Sequence, residues 1–69
     1  MKTIEEMVDH AYKEGYAWMV IDSSTELLAF RDVSGSIRWK IHQPFESGRM
    51  IPITKTIARI LANLAQRPI

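Results

Sequence analysis

The chain contains no cysteine, which excludes a disulfide framework and any thiolate metal centre and fits a reducing cytoplasm. Glycine and proline occur only three times each, so the punctuation of the chain is sparse and each instance is informative. Long apolar runs are missing too. The longest, residues 17–21 and residues 60–64 with Asn63 inside, fall far below the ~20 residues that span a bilayer. The opening stretch MKTIEEMVDH places Glu5, Glu6 and Asp9 where a secretory signal would need an apolar segment. The expectation is a soluble cytoplasmic protein that does not meet a membrane.

Residues that carry chemistry are equally scarce. His10 and His42 are the only histidines, one in an expected helix and one in an expected strand with no paired carboxylate or cysteine spacing, so no metal site is expected. There is no glycine-rich phosphate loop and no nucleophile elbow, and Ser23 and Ser24 sit in a polar turn where serine is ordinary. Glu5 with Glu6, and Asp22 with Glu26, make poor acid/base pairs because so short a chain builds no cleft with a buried floor. No catalytic residue, cofactor or enzymatic activity is read from this sequence.

What is present is a single small domain over residues 1–69. At this size one core contributes only ~3–5 kcal/mol, so self-association is a common supplement. The net charge of +1 is divided unevenly: residues 1–30 hold six acids against Lys2 and Lys13, and residues 31–69 hold seven bases against Asp32 and Glu46. Such a split suits a charged partner, a head-to-tail contact between copies, or simply two solvated faces.

Thr3-Ile4-Glu5-Glu6 is a capping box, and Ile4, Met7, Val8, Ala11 and Tyr12 follow as an amphipathic stripe that Gly15 ends. A helix is therefore expected over residues 3–14, its outer face acidic. Residues 16–21 are β-formers, as are residues 26–33 and 36–42. A two-residue link at Ser34-Gly35 places Leu28 opposite Ile41, Phe30 opposite Trp39 and Asp32 opposite Ile37, gathering the apolar side chains on one face. A three-residue loop would set Phe30 against Arg38 and break that face, so the shorter link is preferred. It brings Arg31 across from Arg38 and Ala29 across from Lys40, and like charges so placed repel mildly. Either both arginines splay into water, or an acidic or phosphate-bearing partner meets them.

The stretch HQPFESGRMIP reads as a connector, with Phe45 and Met50 anchoring it to the core. A second helix is expected over residues 52–66, capped at Pro52 or Thr54 and stopped by Pro68. Ile53, Ile57, Ile60 and Leu64 are spaced as a helix-pair seam, Leu61 widens it, and Ala58, Ala62 and Ala65 add a small-residue edge. So wide an apolar stripe is buried on two sides, and a twin copy supplies the second side most simply, with packing on the first helix as the alternative. The fold class is α+β: helix, two- or three-stranded antiparallel meander, helix.

Two binding classes remain. Arg31, Arg38, Lys40, Arg49, Lys55 and Arg59 with Trp39 form a basic set of the kind that meets nucleic acid, but the near-zero net charge and the core position expected of Trp39 favour a protein partner. Its partner-binding residues are then those six bases, and its dimer interface Ile53, Ile57, Ile60, Leu61 and Leu64. In length and element order the whole chain resembles the small inhibitors that bacteriophages make early in infection to disable host proteins. Among these it is most similar to the dimeric anti-activators that block a quorum-sensing transcription factor and a pilus-assembly ATPase. Phage anti-CRISPR proteins are the next most similar group. The resemblance implies inhibition by binding a host protein in the bacterial cytoplasm, and carries no residue assignments.

Overall fold

A computed structural model of the chain describes residues 3–44 and 48–65. Helix α1 (Ile4–Glu14) is followed by a sheet of four strands, β1 (Tyr16–Asp22), β2 (Thr25–Arg31), β3 (Ile37–Gln43) and β4 (Arg49–Ile53), and by helix α2 (Lys55–Ala65). The strands form an antiparallel meander in chain order. The α+β class and the helix, meander, helix order stand as expected, and the meander gains its fourth strand from the connector. The anchor expected at Phe45, the acid at Glu46, and the helix end at Gln66 with Arg67 and Pro68 lie outside the described residues.

Local chemistry sets the ends of α1. The Thr3 hydroxyl accepts from the Glu6 amide at 3.0 Å, and Gly15, at φ 95°, returns its N–H to the Ala11 carbonyl. That left-handed residue turns the chain directly into β1 at no steric cost. Helix α2 begins later than Pro52. Thr54 is its cap, its hydroxyl accepting from the Ile57 amide at 3.2 Å and its carbonyl from the Ala58 amide at 3.0 Å. Pro52 instead lies in β4, an edge strand, paired with Lys40. The alternation of the ladder turns its nitrogen to the solvent side, where the missing N–H removes no bond.

Both helices cover one face of the sheet. The core comprises Ile4, Met7 and Ala11 of α1, Ala58 and Ala62 of α2, and Ala17, Met19, Leu27, Ala29 and Trp39 of the sheet. Alanines at the helix–sheet contacts let the helix backbones settle close to the strands, and this decides how α2 is rotated. Its alanine edge faces the sheet, and its larger residues Ile57, Ile60 and Leu64 turn outward, about half exposed.

The β2–β3 hairpin departs from the expected register by one residue. Ala29 opposes Trp39, Leu27 opposes Ile41, and Phe30 opposes Arg38. The turn chemistry explains the shift. Asp32 accepts the Gly35 amide on its carbonyl at 3.0 Å, donates its own N–H to the Ser36 carbonyl at 2.9 Å, and gathers the Ser34 amide, the Ser34 hydroxyl and the Ser36 amide on Oδ1. With Gly35 at φ 88°, this is the three-residue hairpin in which a type I turn is followed by a left-handed glycine. Because side chains alternate, the one-residue shift sends Leu28 and Phe30 to the face opposite Trp39 and Ile41.

Candidate functional site

The face of the sheet away from the helices carries three rows of side chains. Tyr16, Phe30 and Arg38 form the first, Trp18, Leu28, Lys40 and Pro52 the second, and Val20, Glu26, His42 and Met50 the third. No element among the described residues covers this face. Trp18 is 45% exposed, Tyr16 56% and Val20 61%, an aromatic and aliphatic surface of the kind that marks an interaction site rather than a solvated sheet. Met50 belongs to this surface. The core anchoring expected of it is corrected, since β4 alternation points it to the open side, half exposed.

The surface is ordered from within. The Tyr16 and Trp18 rings stack along one edge with centroids 5.8 Å apart and planes 13° from parallel. The Lys40 ammonium lies 5.0 Å from the Phe30 ring centroid, a cation–π contact that holds a long side chain flat across the middle of the face. At one end Arg38 Nε donates to Asp32 Oδ2 at 2.8 Å. The Ser34 hydroxyl, the Arg38 guanidinium and the loop amides together hold the Asp32 carboxyl far below the usual carboxylate range. At the other end His42 Nδ1 meets Glu26 Oε1 at 3.0 Å.

Arg31 and Arg38 do not face each other, which corrects the expected opposition. Arg31 opposes Ile37 and belongs to the helix side, where its guanidinium donates to the Tyr12 carbonyl at 2.7 Å. A cation at the carbonyl end of α1 is favourably placed. Lys40 likewise opposes Leu28 rather than Ala29.

The six bases therefore do not share one patch. Arg38 and Lys40 lie on the open face, Arg49 begins β4 in the register of the helix side, and Lys55 begins α2. Arg59 donates to Glu5 Oε1 at 2.8 Å and ties α2 to α1. That bond is the first of the causes holding the Glu5 carboxyl below its ordinary value. Of the residues expected at a dimer interface, Ile57, Ile60 and Leu64 are open to solvent. Ile53 packs against the core and Leu61 is half-buried.

The two histidines lie apart. His10 Nδ1 is 2.9 Å from the Tyr16 carbonyl, so that nitrogen carries the proton, and His42 belongs to the open face. Among the described residues no group of three or more metal-ligating side chains comes together. No helix of the described residues is long and apolar enough to cross a membrane.

Sequence reasoning gives Tyr16, Trp18 and Val20 no site role and assigns Leu28, Phe30 and Met50 to the core side instead. Their signal was present in the apolar run at residues 17–21, extended by Tyr16, and the adjacent Leu27-Leu28 pair, which mark strands with two apolar faces rather than one.

Comparison with protein-family models, with curated proteins and with solved structures returns no match.

Proposed function

We propose that this chain is a non-enzymatic binding protein that inhibits a host protein by holding it on the open face of the sheet. The observation that carries the reading is the surface of Tyr16, Trp18, Val20, Leu28, Phe30 and Met50, interspersed with Arg38 and Lys40 and covered by none of the described residues. Tryptophan, tyrosine, methionine and arginine are the residues enriched in protein interfaces and their hot spots, whereas a solvated sheet face would be threonine, lysine and glutamate. The mixed charge of the face, with Glu26 beside His42 and Asp32 on Arg38, suits a protein better than a polyanion.

The second exposed stripe, Ile57, Ile60 and Leu64 of α2, supports a homodimer. A helix stripe is self-complementary across a two-fold axis, and pairing two copies there supplements a small core. Such a dimer would present two open sheet faces. The resemblance in length and element order to phage anti-activators makes a quorum-sensing transcription activator in the bacterial cytoplasm the first target to probe.

The test is affinity capture from nuclease-treated bacterial lysate, with the unaltered chain and a Tyr16→Ala/Trp18→Ala variant side by side. A protein retained by the first and lost by the second, with the variant's circular dichroism unchanged, is the expected result. Nucleic acid recovered alone from untreated lysate, or a protein held equally by both, would overturn the reading.

A further inference from the structure

Strand β4 ends at Ile53, opposite Trp39, while β3 begins two residues earlier at Ile37. The edge of β3 therefore runs on past its neighbour. Which way that edge points follows from β2. The Arg31 amide donates to the Gly15 carbonyl on the β1 side at 2.9 Å, so Arg31 and Ile37 oppose each other without exchanging bonds. The Ile37 N–H and C=O must then point outward, to the side where a longer β4 would have paired them. The chain has instead turned into α2.

An open cleft of about 710 Å³ occupies that place. Its apolar lining includes Tyr12 of α1, Phe30 of β2, Ile37 and Trp39 of β3 and Ile53 of β4, and its basic lining is Arg38, Lys40 and Lys55. Asp32 is the one carboxylate in the lining, and it is engaged by Arg38 and the loop amides. Lys40 rests on Phe30, and Lys55 only shares the field of Glu5, whose Oε1 is bonded to Arg59. The cleft is continuous with the open sheet face, since Phe30, Arg38, Lys40 and Pro52 belong to both.

We propose that this cleft receives an extended, acidic segment of the partner protein. This rests on the binding-protein reading and names the chemistry of what is bound. The backbone of the segment pairs with the edge at Ile37, which no described strand pairs, as in strand addition. A bulky apolar side chain fills the lining between Tyr12, Trp39 and Ile53, and a carboxylate neighbouring it meets the ammonium groups of Lys40 and Lys55. The excess of cation over carboxylate in the lining selects an acidic segment against a basic one.

The probe is a set of end-blocked six-residue peptides alternating leucine with aspartate, asparagine or lysine, titrated into nitrogen-15-labelled protein. The aspartate peptide should move the Ile37 and Lys55 amides and the Trp39 indole. Asparagine should weaken binding about tenfold and lysine abolish it. Lys55→Glu, at an exposed position, should weaken the aspartate peptide by a similar factor with the rest of the spectrum unchanged, and Lys40→Glu should add to the loss.

Equal binding of aspartate and asparagine peptides, no shift at Ile37, or shifts confined to Tyr16 and Trp18 would overturn the proposal. So would shifts at Ile37 that grow with protein concentration alone, because a second copy would then fill the cleft. The peptide result is read without the partner. Failure of the cleft is thus distinct from failure of the open face, which only the Tyr16→Ala/Trp18→Ala capture decides.

Discussion

Two adjacent leucines should respond to very different degrees to the same truncation. Leu27 is 0% exposed, between Met19 and Ile41 on the helix side, whereas Leu28 lies on the uncovered face between Trp18 and Lys40 and is only half-buried. Leu27→Ala removes a fully enclosed side chain and leaves a cavity, at a cost of about 3–5 kcal/mol. A core of this size contributes only ~3–5 kcal/mol, so that variant should be mostly unfolded in water. Fully burying a leucine is worth about 1.5–3 kcal/mol, and Leu28→Ala forfeits about half of this without opening a void. With a urea slope near 1 kcal/mol per molar, the Leu28 variant should shift the midpoint down by about 1 M. Leu27→Met conserves volume and should cost under about 1.5 kcal/mol, which keeps a folded reference at that position. Urea titration followed by far-ultraviolet circular dichroism reads all three. A Leu28→Ala variant as damaged as Leu27→Ala would mean that the hairpin register is one residue off and the faces are exchanged.

Gly35→Ala should destabilise by about 1 kcal/mol in a thermal melt, because φ is 88° while an added Cβ meets nothing within 4 Å; Gly35→Asn should cost less, asparagine being the better tolerated there. Asp32, Glu5 and Asp22 all have folded pKa values lowered from their ordinary ones, through Ser34 and Arg38, through Arg59, and through the Ser24 amide respectively. Their stabilisation is full above about pH 5, where the unfolded groups are ionised, and drains as pH falls through the unfolded values toward the folded ones. Urea midpoints measured from pH 7 to pH 2.5 should begin to fall at about pH 5, and Asp32→Asn should flatten part of that slope. Ile57→Asp with Leu64→Asp should give folded monomers by light scattering, since both positions are exposed, whereas Ala58→Asp, at a fully buried position, should unfold the chain. A monomeric unaltered protein at micromolar concentration would refute the α2 pairing.

Where a segment had one strong local determinant, its structure was legible in the sequence. Thr3 and Glu6 mark the start of α1 and Gly15 its end, and the apolar stripe of α1 gives its buried face, because these signals depend on neighbours within a turn or two. The hairpin register was not legible. Leu27 and Leu28 are both apolar, so period-two patterning cannot say which faces the helices, and the choice passed to Asp32 and its serine and glycine neighbours, whose hydrogen bonds favour the longer loop. Strand β4 was hidden by Pro52, which reads as a breaker until its place on a sheet edge is known. The orientation of α2 was hidden because isoleucine and alanine both read as core, although alanine is what fits tightly against a sheet. The open face escaped notice for the same reason as the register: it exists only once Leu28 and Phe30 are assigned to it.

Trp18 and Trp39 are the only tryptophans, one 45% exposed on the open face and the other 5% exposed in the core. Acrylamide quenching of the free chain should therefore resolve an accessible and a protected population, with Trp18→Phe removing the accessible one. Added captured partner should shield the accessible population and shift its emission to shorter wavelength in the unaltered chain. Unchanged quenching of Trp18 in a saturated complex would contradict the claim that this face is where the partner sits.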